Sequence, residues 1–252
     1  ALVMMWPRRP AGRKLNPGAR RLGDAAHAQL GGPILTTEIL VAVTRLLVLG
    51  ATGETGQQVV AQALSRGLAV TAFVRDSARL GITSDRLLLR VGSITGDQSL
   101  LSSAMLGQDA VISVLGVGKS FKSGGIIAQA VPRILASMQG TGVRRLVFTS
   151  AFGVGETFRD VPAMPRLFIR TLLRDVYRDK EAGEMALRSS GFDWTIVYPA
   201  GLVNRPATGQ FRVGERLELR GFPTIARADV AAFLLDQLED MRYVRKGVLI
   251  SS

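Results

Sequence analysis

Residues 45–56 read Arg45-Leu46-Leu47-Val48-Leu49-Gly50-Ala51-Thr52-Gly53-Glu54-Thr55-Gly56. The first five form a short apolar, partly β-branched run, the pattern of a parallel strand covered on both faces. A glycine-rich loop follows at once. A helical pattern then runs through Val59, Val60, Ala63 and Leu64 and stops at Gly67, a glycine just past the last periodic residue. A second strand-like run, Ala69 to Val74, closes the unit. Placement gives the glycines their meaning. Gly50 permits a tight turn, Gly53 lets a pyrophosphate approach the backbone, and Gly56 lets helix and strand pack closely. The helix N-terminus offers free N–H groups and partial positive charge to phosphates. Gly50, Thr52, Gly53, Glu54, Thr55 and Gly56 are therefore expected to line a dinucleotide.

Outward from this unit the alternation continues. Strand-like runs occupy Leu87–Val91, Ala110–Leu115, Arg144–Thr149 and Trp194–Val197, with helical stretches around Gln98–Met105, Ile126–Met138 and Arg166–Ser190. From Ala200 to Phe222 glycines interrupt the pattern and leave room for one short strand. A helix, Arg227–Leu238, and a strand, Val248–Ile250, come last. Strand–helix alternation predicts a parallel sheet with helices on both faces. The expected fold is α/β: a Rossmann-type doubly wound parallel sheet over 44–252, with a small C-terminal substrate-side region.

Composition narrows the chemistry. With no cysteine and one histidine, His27, the chain has no thiolate nucleophile, and no Ser-His-Asp triad or metal centre is expected. The net charge is +12. Six of the basic and two of the acidic residues fall in 1–43, so +4 lies there and +8 in the domain. Segment 1–43, rich in Arg, Pro, Gly and Ala, reads as a basic, disordered leader. It is open to three readings: sequence upstream of the true start, a targeting peptide, or a basic interaction arm. No segment reaches the ~20 apolar residues of a membrane span. A cytoplasmic location is expected, or an organellar one if the leader is a targeting peptide. The expected partner is a small-molecule acceptor, with the protein a monomer or small homo-oligomer and nucleic acid not expected.

The end of the second strand discriminates between cofactors. An acidic residue there favours NAD, and an arginine accommodates the 2′-phosphate of NADP. The chain has Arg75 there, so NADPH is expected, while Asp76, one residue late, keeps NADH open. Ligands of doubly wound sheets lie at the carboxyl ends of the strands. Those ends here carry Ser93-Ile94, Leu115-Gly116-Val117, Thr149-Ser150 and Tyr198-Pro199-Ala200-Gly201.

The stretch Gly50-Ala51-Thr52-Gly53-Glu54-Thr55-Gly56 resembles the GATGxTG signature of extended and atypical short-chain dehydrogenases/reductases. Val74-Arg75-Asp76-Ser77, Gly107-Gln108-Asp109-Ala110-Val111, Thr149-Ser150-Ala151-Phe152 and Leu187-Arg188-Ser189-Ser190-Gly191 resemble the biliverdin-IXβ reductase/flavin reductase branch of the NmrA-like group. The resemblance implies that Ser93-Ile94 lie near the adenine, Leu115-Gly116 along the dinucleotide, and Ser150 close to the nicotinamide. Ser93 stands where the family usually has Asp.

Typical short-chain reductases use Tyr-x-x-x-Lys. If Lys180 is the family lysine, Val176 holds the tyrosine position, and Tyr177 is rotated about 100° around the helix. Hydride transfer survives this departure, because the cofactor supplies the hydride and the protein orients the acceptor. Ser150, Lys180 and Tyr198 are the expected catalytic residues, with Lys180 also at the ribose. Arg166, Arg170, Arg174 and Arg178 recur every four residues as one basic stripe, suited to an anionic substrate or an acidic partner. The leading reading is an NADPH-dependent reductase of a small planar acceptor such as a flavin, quinone or tetrapyrrole. The alternatives are a non-catalytic NADP(H) sensor of NmrA type and, behind it, a nucleotide-sugar epimerase or dehydratase.

Overall fold

A computed structural model describes residues 43–118 and 120–252. The leader read over 1–43, with His27, lies outside the described residues except for Val43. The elements run β1 (Arg45–Leu49), α1 (Glu54–Ser65), β2 (Ala69–Val74), β3 (Leu87–Val91), α2 (Gln98–Met105), β4 (Ala110–Ser113), α3 (Ile126–Thr141), β5 (Arg145–Thr149) and α4 (Ala163–Thr171). Then follow α5 (Arg174–Arg188), β6 (Asp193–Pro199), β7 (Gly201–Val203), β8 (Arg212–Gly214), β9 (Thr224–Ala226), α6 (Arg227–Asp236) and β10 (Lys246–Ser251).

The main sheet has the order β3-β2-β1-β4-β5-β6-β10-β8. Every pairing is parallel except that of β8, which runs antiparallel to β10. The strand order reverses between β1 and β4, which opens a crevice at their carboxyl ends. Strand β1 shows why its sequence is an unbroken apolar run. Leu47 and Leu49 pack on one face with Leu101 of α2, Val131 of α3 and Leu187 of α5. Leu46 and Val48 pack on the other with Val60 of α1 and Val230 of α6. Each such leucine, removed wholly from water, contributes about 1.5–3 kcal/mol.

The doubly wound parallel sheet is as expected, but two local expectations are corrected. The helix read over Arg166–Ser190 is two helices, so the four arginines do not form one continuous stripe. Thr171 is the physical cause. Its hydroxyl donates back to the carbonyls of Leu167 and Phe168 at 3.0 and 3.3 Å, and such back-bonding bends helices. Phe168 O also accepts from the N–H groups of both Leu172 and Leu173, and Leu173 leaves the helical conformation. Helix α4 begins at Ala163, with Pro165 in its first turn, where a missing N–H costs nothing. The second correction concerns 200–222, which holds two short strands rather than one, with a third, β9, just after it. Strands β7 and β9 pair parallel with each other, and β8 extends the main sheet.

Candidate functional site

The loop between β1 and α1 places steric demands on two of its glycines. Gly50 has φ +84°, and a Cβ there would sit 2.8 Å from Val114 O. A Cβ on Gly56 would fall 2.1 Å from Gly50 O. Gly53 is different. Its φ is −75°, and a Cβ would meet Gly50 O at 3.4 Å, an ordinary contact. The fold therefore does not demand a glycine at this position. Helix α1 has no side-chain cap, and its first N–H bonded back into the loop is that of Gln57, to Gly53 O at 2.9 Å. The N–H groups of Glu54, Thr55 and Gly56 have no acceptor among the described residues. A cradle that a Cβ would fill and three free amides at a helix N-terminus fit a dinucleotide pyrophosphate.

The flanking residues complete this half. Thr52 O accepts from Gln57 Nε2, and Glu54 pairs with Arg227 at 2.9 Å. Arg227, which the sequence reading missed, thereby ties the start of α6 to the start of α1, and it also donates to Asn204 Oδ1. Phe73 pairs with Leu49, which brings the end of β2 to the same sheet edge. Beyond it Arg75 is exposed and makes no hydrogen bond or ion pair among the described residues. Asp76, by contrast, is occupied in accepting from the N–H of Ala78 at 3.0 Å. Ser93 is exposed and bonded to Thr95, whereas Ile94 packs on the core. Leu115, Gly116 and Val117 continue β4 into the crevice as irregular chain. Pro199, Ala200 and Gly201 tie neighbouring segments: Pro199 O accepts from Phe152 N, Ala200 N donates to Ile250 O and Gly201 N to Pro223 O.

The second half is built on β5, β6 and α5. Ser150 (4% exposed) donates to Glu184 Oε1, and Tyr198 (1%) donates to Glu184 Oε2 at 2.6 Å. Arg188 donates to the Tyr198 oxygen at 3.0 Å. Lys180 Nζ donates to Thr149 O at 3.4 Å, while the hydroxyl of Thr149 is buried with no partner among the described residues. Two of the three expected catalytic residues, Ser150 and Tyr198, thus share one carboxylate that the sequence reading did not single out, while Lys180 is held by the Thr149 carbonyl. Glu184 lies one turn from Lys180 and one from Arg188, and that i, i+4 spacing was the available signal. Burial raises the Glu184 carboxyl above its ordinary range. Burial lowers the Lys180 ammonium to about 8, against the opposing pull of Glu184 and Asp179. Burial and the Glu184 charge together raise Tyr198, so its proton stays on the ring oxygen.

Asp179 itself is structural. Its oxygens accept from the N–H groups of Ile127 and Ala128, capping α3 in place of Gly125, which offers no side chain.

Beside this network lies a cavity of about 250 Å³, lined by Gly153–Gly155, Phe158, Ile169, Tyr177, Glu181 and three guanidinium groups, Arg170, Arg174 and Arg178. A Cβ on Gly155 would stand 3.4 Å from Glu184 Oε2, so network and cavity share a wall. None of the three arginines has a hydrogen-bond acceptor or ion-pair partner among the described residues. Arg166, the fourth of the series, is spent on the carbonyls of Arg159 and Val161. Tyr177 lines the cavity, but its hydroxyl donates to Phe152 O at 3.0 Å, and burial pushes it up to about 12.

Residues 50–241 match a family model described as NAD(P)H-binding. The chain is 29% identical over 227 residues to the oxidoreductase stcQ of Emericella nidulans, with 81% of each chain covered. A short-chain dehydrogenase/reductase from Veillonella parvula, solved in complex with NADP, superposes with a TM-score of 0.71 at 19% identity, covering 84% of this chain and 95% of that one. The anaerobillin reductase ChuY from Escherichia coli O157:H7 superposes with a TM-score of 0.69 at 21% identity, covering 82% and 96%. At these identities both structures speak for the fold.

Proposed function

The chain belongs to the NAD(P)H-binding family, and on that premise we propose that it is an NADPH-dependent reductase of a small, planar, anionic acceptor. The observation that carries the reading is the shared wall. A cavity with three unpaired guanidinium groups abuts the carboxylate that holds Ser150 and Tyr198. Arginine suits carboxylate and phosphate groups, because its planar fork matches their geometry.

The free amides of Glu54, Thr55 and Gly56 would hold the pyrophosphate, and Arg75 the 2′-phosphate of NADPH. Bound NADPH supplies the hydride, and the acceptor also needs a proton. Lys180 Nζ is suited to hold it, because a group that titrates near the working pH is an efficient general acid. Ser150 directs its hydrogen to Glu184 and so offers its oxygen lone pairs to the reacting face. Tyr198, expected from the sequence as a proton source, is better read as a positioning residue: it is buried and keeps its proton toward Glu184.

The test follows NADPH consumption by the purified protein with FMN, a quinone and biliverdin, after titration of NADPH and NADH. NADPH oxidation with one acceptor supports the reading. A second reading, a sensor that binds NADP(H) without turnover, draws on Val176 at the usual tyrosine position and on the tied hydroxyl of Tyr177. Tight NADPH binding with every acceptor inert would favour it.

A further inference from the structure

Helix α4 turns an apolar face to water. Met164, Leu167, Phe168 and Leu172 are 71, 65, 47 and 49% exposed. At 100° per residue they share with Thr171 an arc of about 140°. No charged residue falls within it. Ile169 and Leu173 on the other side pack against the core, so the helix is already anchored without these four. Surface helices put polar residues opposite their buried stripe. A contiguous exposed apolar patch marks a surface that meets something else.

Charge selects the occupant. The arc is bordered by Arg170 of α4, and Arg174 and Arg178 follow on the adjoining cavity wall. None has a hydrogen-bond acceptor or ion-pair partner among the described residues, although Arg170 also lies over the Phe158 ring at 5.3 Å. Glu181 is the one carboxylate lining that cavity, and nearby Asp175 is spent on the N–H and hydroxyl of Ser123. The domain carries +8 of the chain's +12. A second copy would bring the same cations face to face, and segment 1–43, itself +4, would be repelled likewise. An anionic surface gains from every one of them. A short helix with an apolar face and a basic flank is suited to lie in a lipid headgroup region, where each arginine adds attraction to anionic lipid. We propose that α4 docks the protein on an anionic lipid bilayer, with the four apolar side chains entering the headgroup–acyl boundary. This holds whatever reaction the site performs.

The experiment is flotation of the full chain with phosphatidylcholine vesicles and with mixed phosphatidylcholine–phosphatidylglycerol vesicles. The wild type should partition at least about tenfold more strongly onto the mixed vesicles, and high salt should reverse this by screening the arginines. The variant M164S/L167S/F168S/L172S should lose at least about tenfold in partition with its thermal transition retained, since all four side chains already face water. If that variant fails to fold, Leu167→Glu, read in the same assay, should lose as much. Absence of binding to mixed vesicles at low salt would overturn the proposal. So would undiminished binding of the variants, which would assign the affinity to the leader. A dimer in solution that the substitutions dissolve, with no vesicle binding, would assign the face to a second copy.

Discussion

The hydroxyl of Ser150 donates to the carboxylate of Glu184, a residue 34 positions later and 3% exposed. The pair fixes which way Ser150 points its hydrogen. Glu184→Gln offers one acceptor and one amide donor where two acceptors stood, so Ser150 and Tyr198 cannot both keep donating. The expected result is a kcat lowered about 10- to 100-fold with NADPH affinity nearly unchanged, and a double variant with Ser150→Ala no worse than either single one. Additive losses would show that the two residues do not act as a unit. Stability should respond as well. The Glu184 pKa is raised by burial, so its favourable contribution is complete below the ordinary carboxylate value near 4.5 and declines as pH rises through the folded value. Melting temperature against pH should be flatter in Glu184→Gln over that window.

Lys180 behaves oppositely. Its folded pKa is about 8 against an ordinary 10.5. The unfolded chain therefore holds a proton that the folded one has released between those values, and stability should rise with pH across that window. Lys180→Met should abolish the rise. If Lys180 is the proton donor, kcat should fall as pH climbs through about 8, and the Met variant should lose that inflection. A wild-type profile flat through this region would assign the proton elsewhere.

How much of this was legible in the sequence depended on whether the determinant was local. The β1–loop–α1 unit could be read because glycine spacing, apolar runs and helix stops are properties of neighbouring residues. The break after Thr171 could not, because threonine in a helix is ordinary until its hydroxyl is seen taking the Leu167 and Phe168 carbonyls. The role of Glu184 is hidden in the sequence for a similar reason. A glutamate in a helix between a lysine and an arginine reads as a solvated face, and only the packing of α5 over β5 and β6 buries it. Asp76 reads in the sequence as a rival to Arg75, and only the structure shows that one of its oxygens caps the next turn.

The glycine loop separates fold from binding. Gly56→Ala would place a methyl group 2.1 Å from Gly50 O, backbone against backbone, with no flexible side chain to yield. Overpacking of this kind costs about 1–3 kcal/mol or more, so a clearly lower melting temperature and lost NADPH binding are expected together. Gly53→Ala adds a methyl group at 3.4 Å in an ordinary backbone conformation. The melting temperature should hold, and if the pyrophosphate lies against Gly53 as proposed, NADPH affinity should fall. Unchanged affinity in Gly53→Ala would place the pyrophosphate elsewhere.

Arg75 tests cofactor choice without disturbing the fold. It is exposed, and no contact among the described residues depends on its guanidinium, so Arg75→Ala should leave the melting temperature within experimental error. A charge-assisted contact to a 2′-phosphate contributes about 1.5–3 kcal/mol, which predicts NADPH affinity lowered roughly 10- to 150-fold and NADH affinity unchanged. Removing Asp76 is not equivalent, because its oxygen supports the turn at Ser77–Arg79. Asp76→Ala should loosen that turn and weaken both cofactors alike. If instead it weakened NADH alone, Asp76 would be contacting the ribose and Arg75 would not govern the preference.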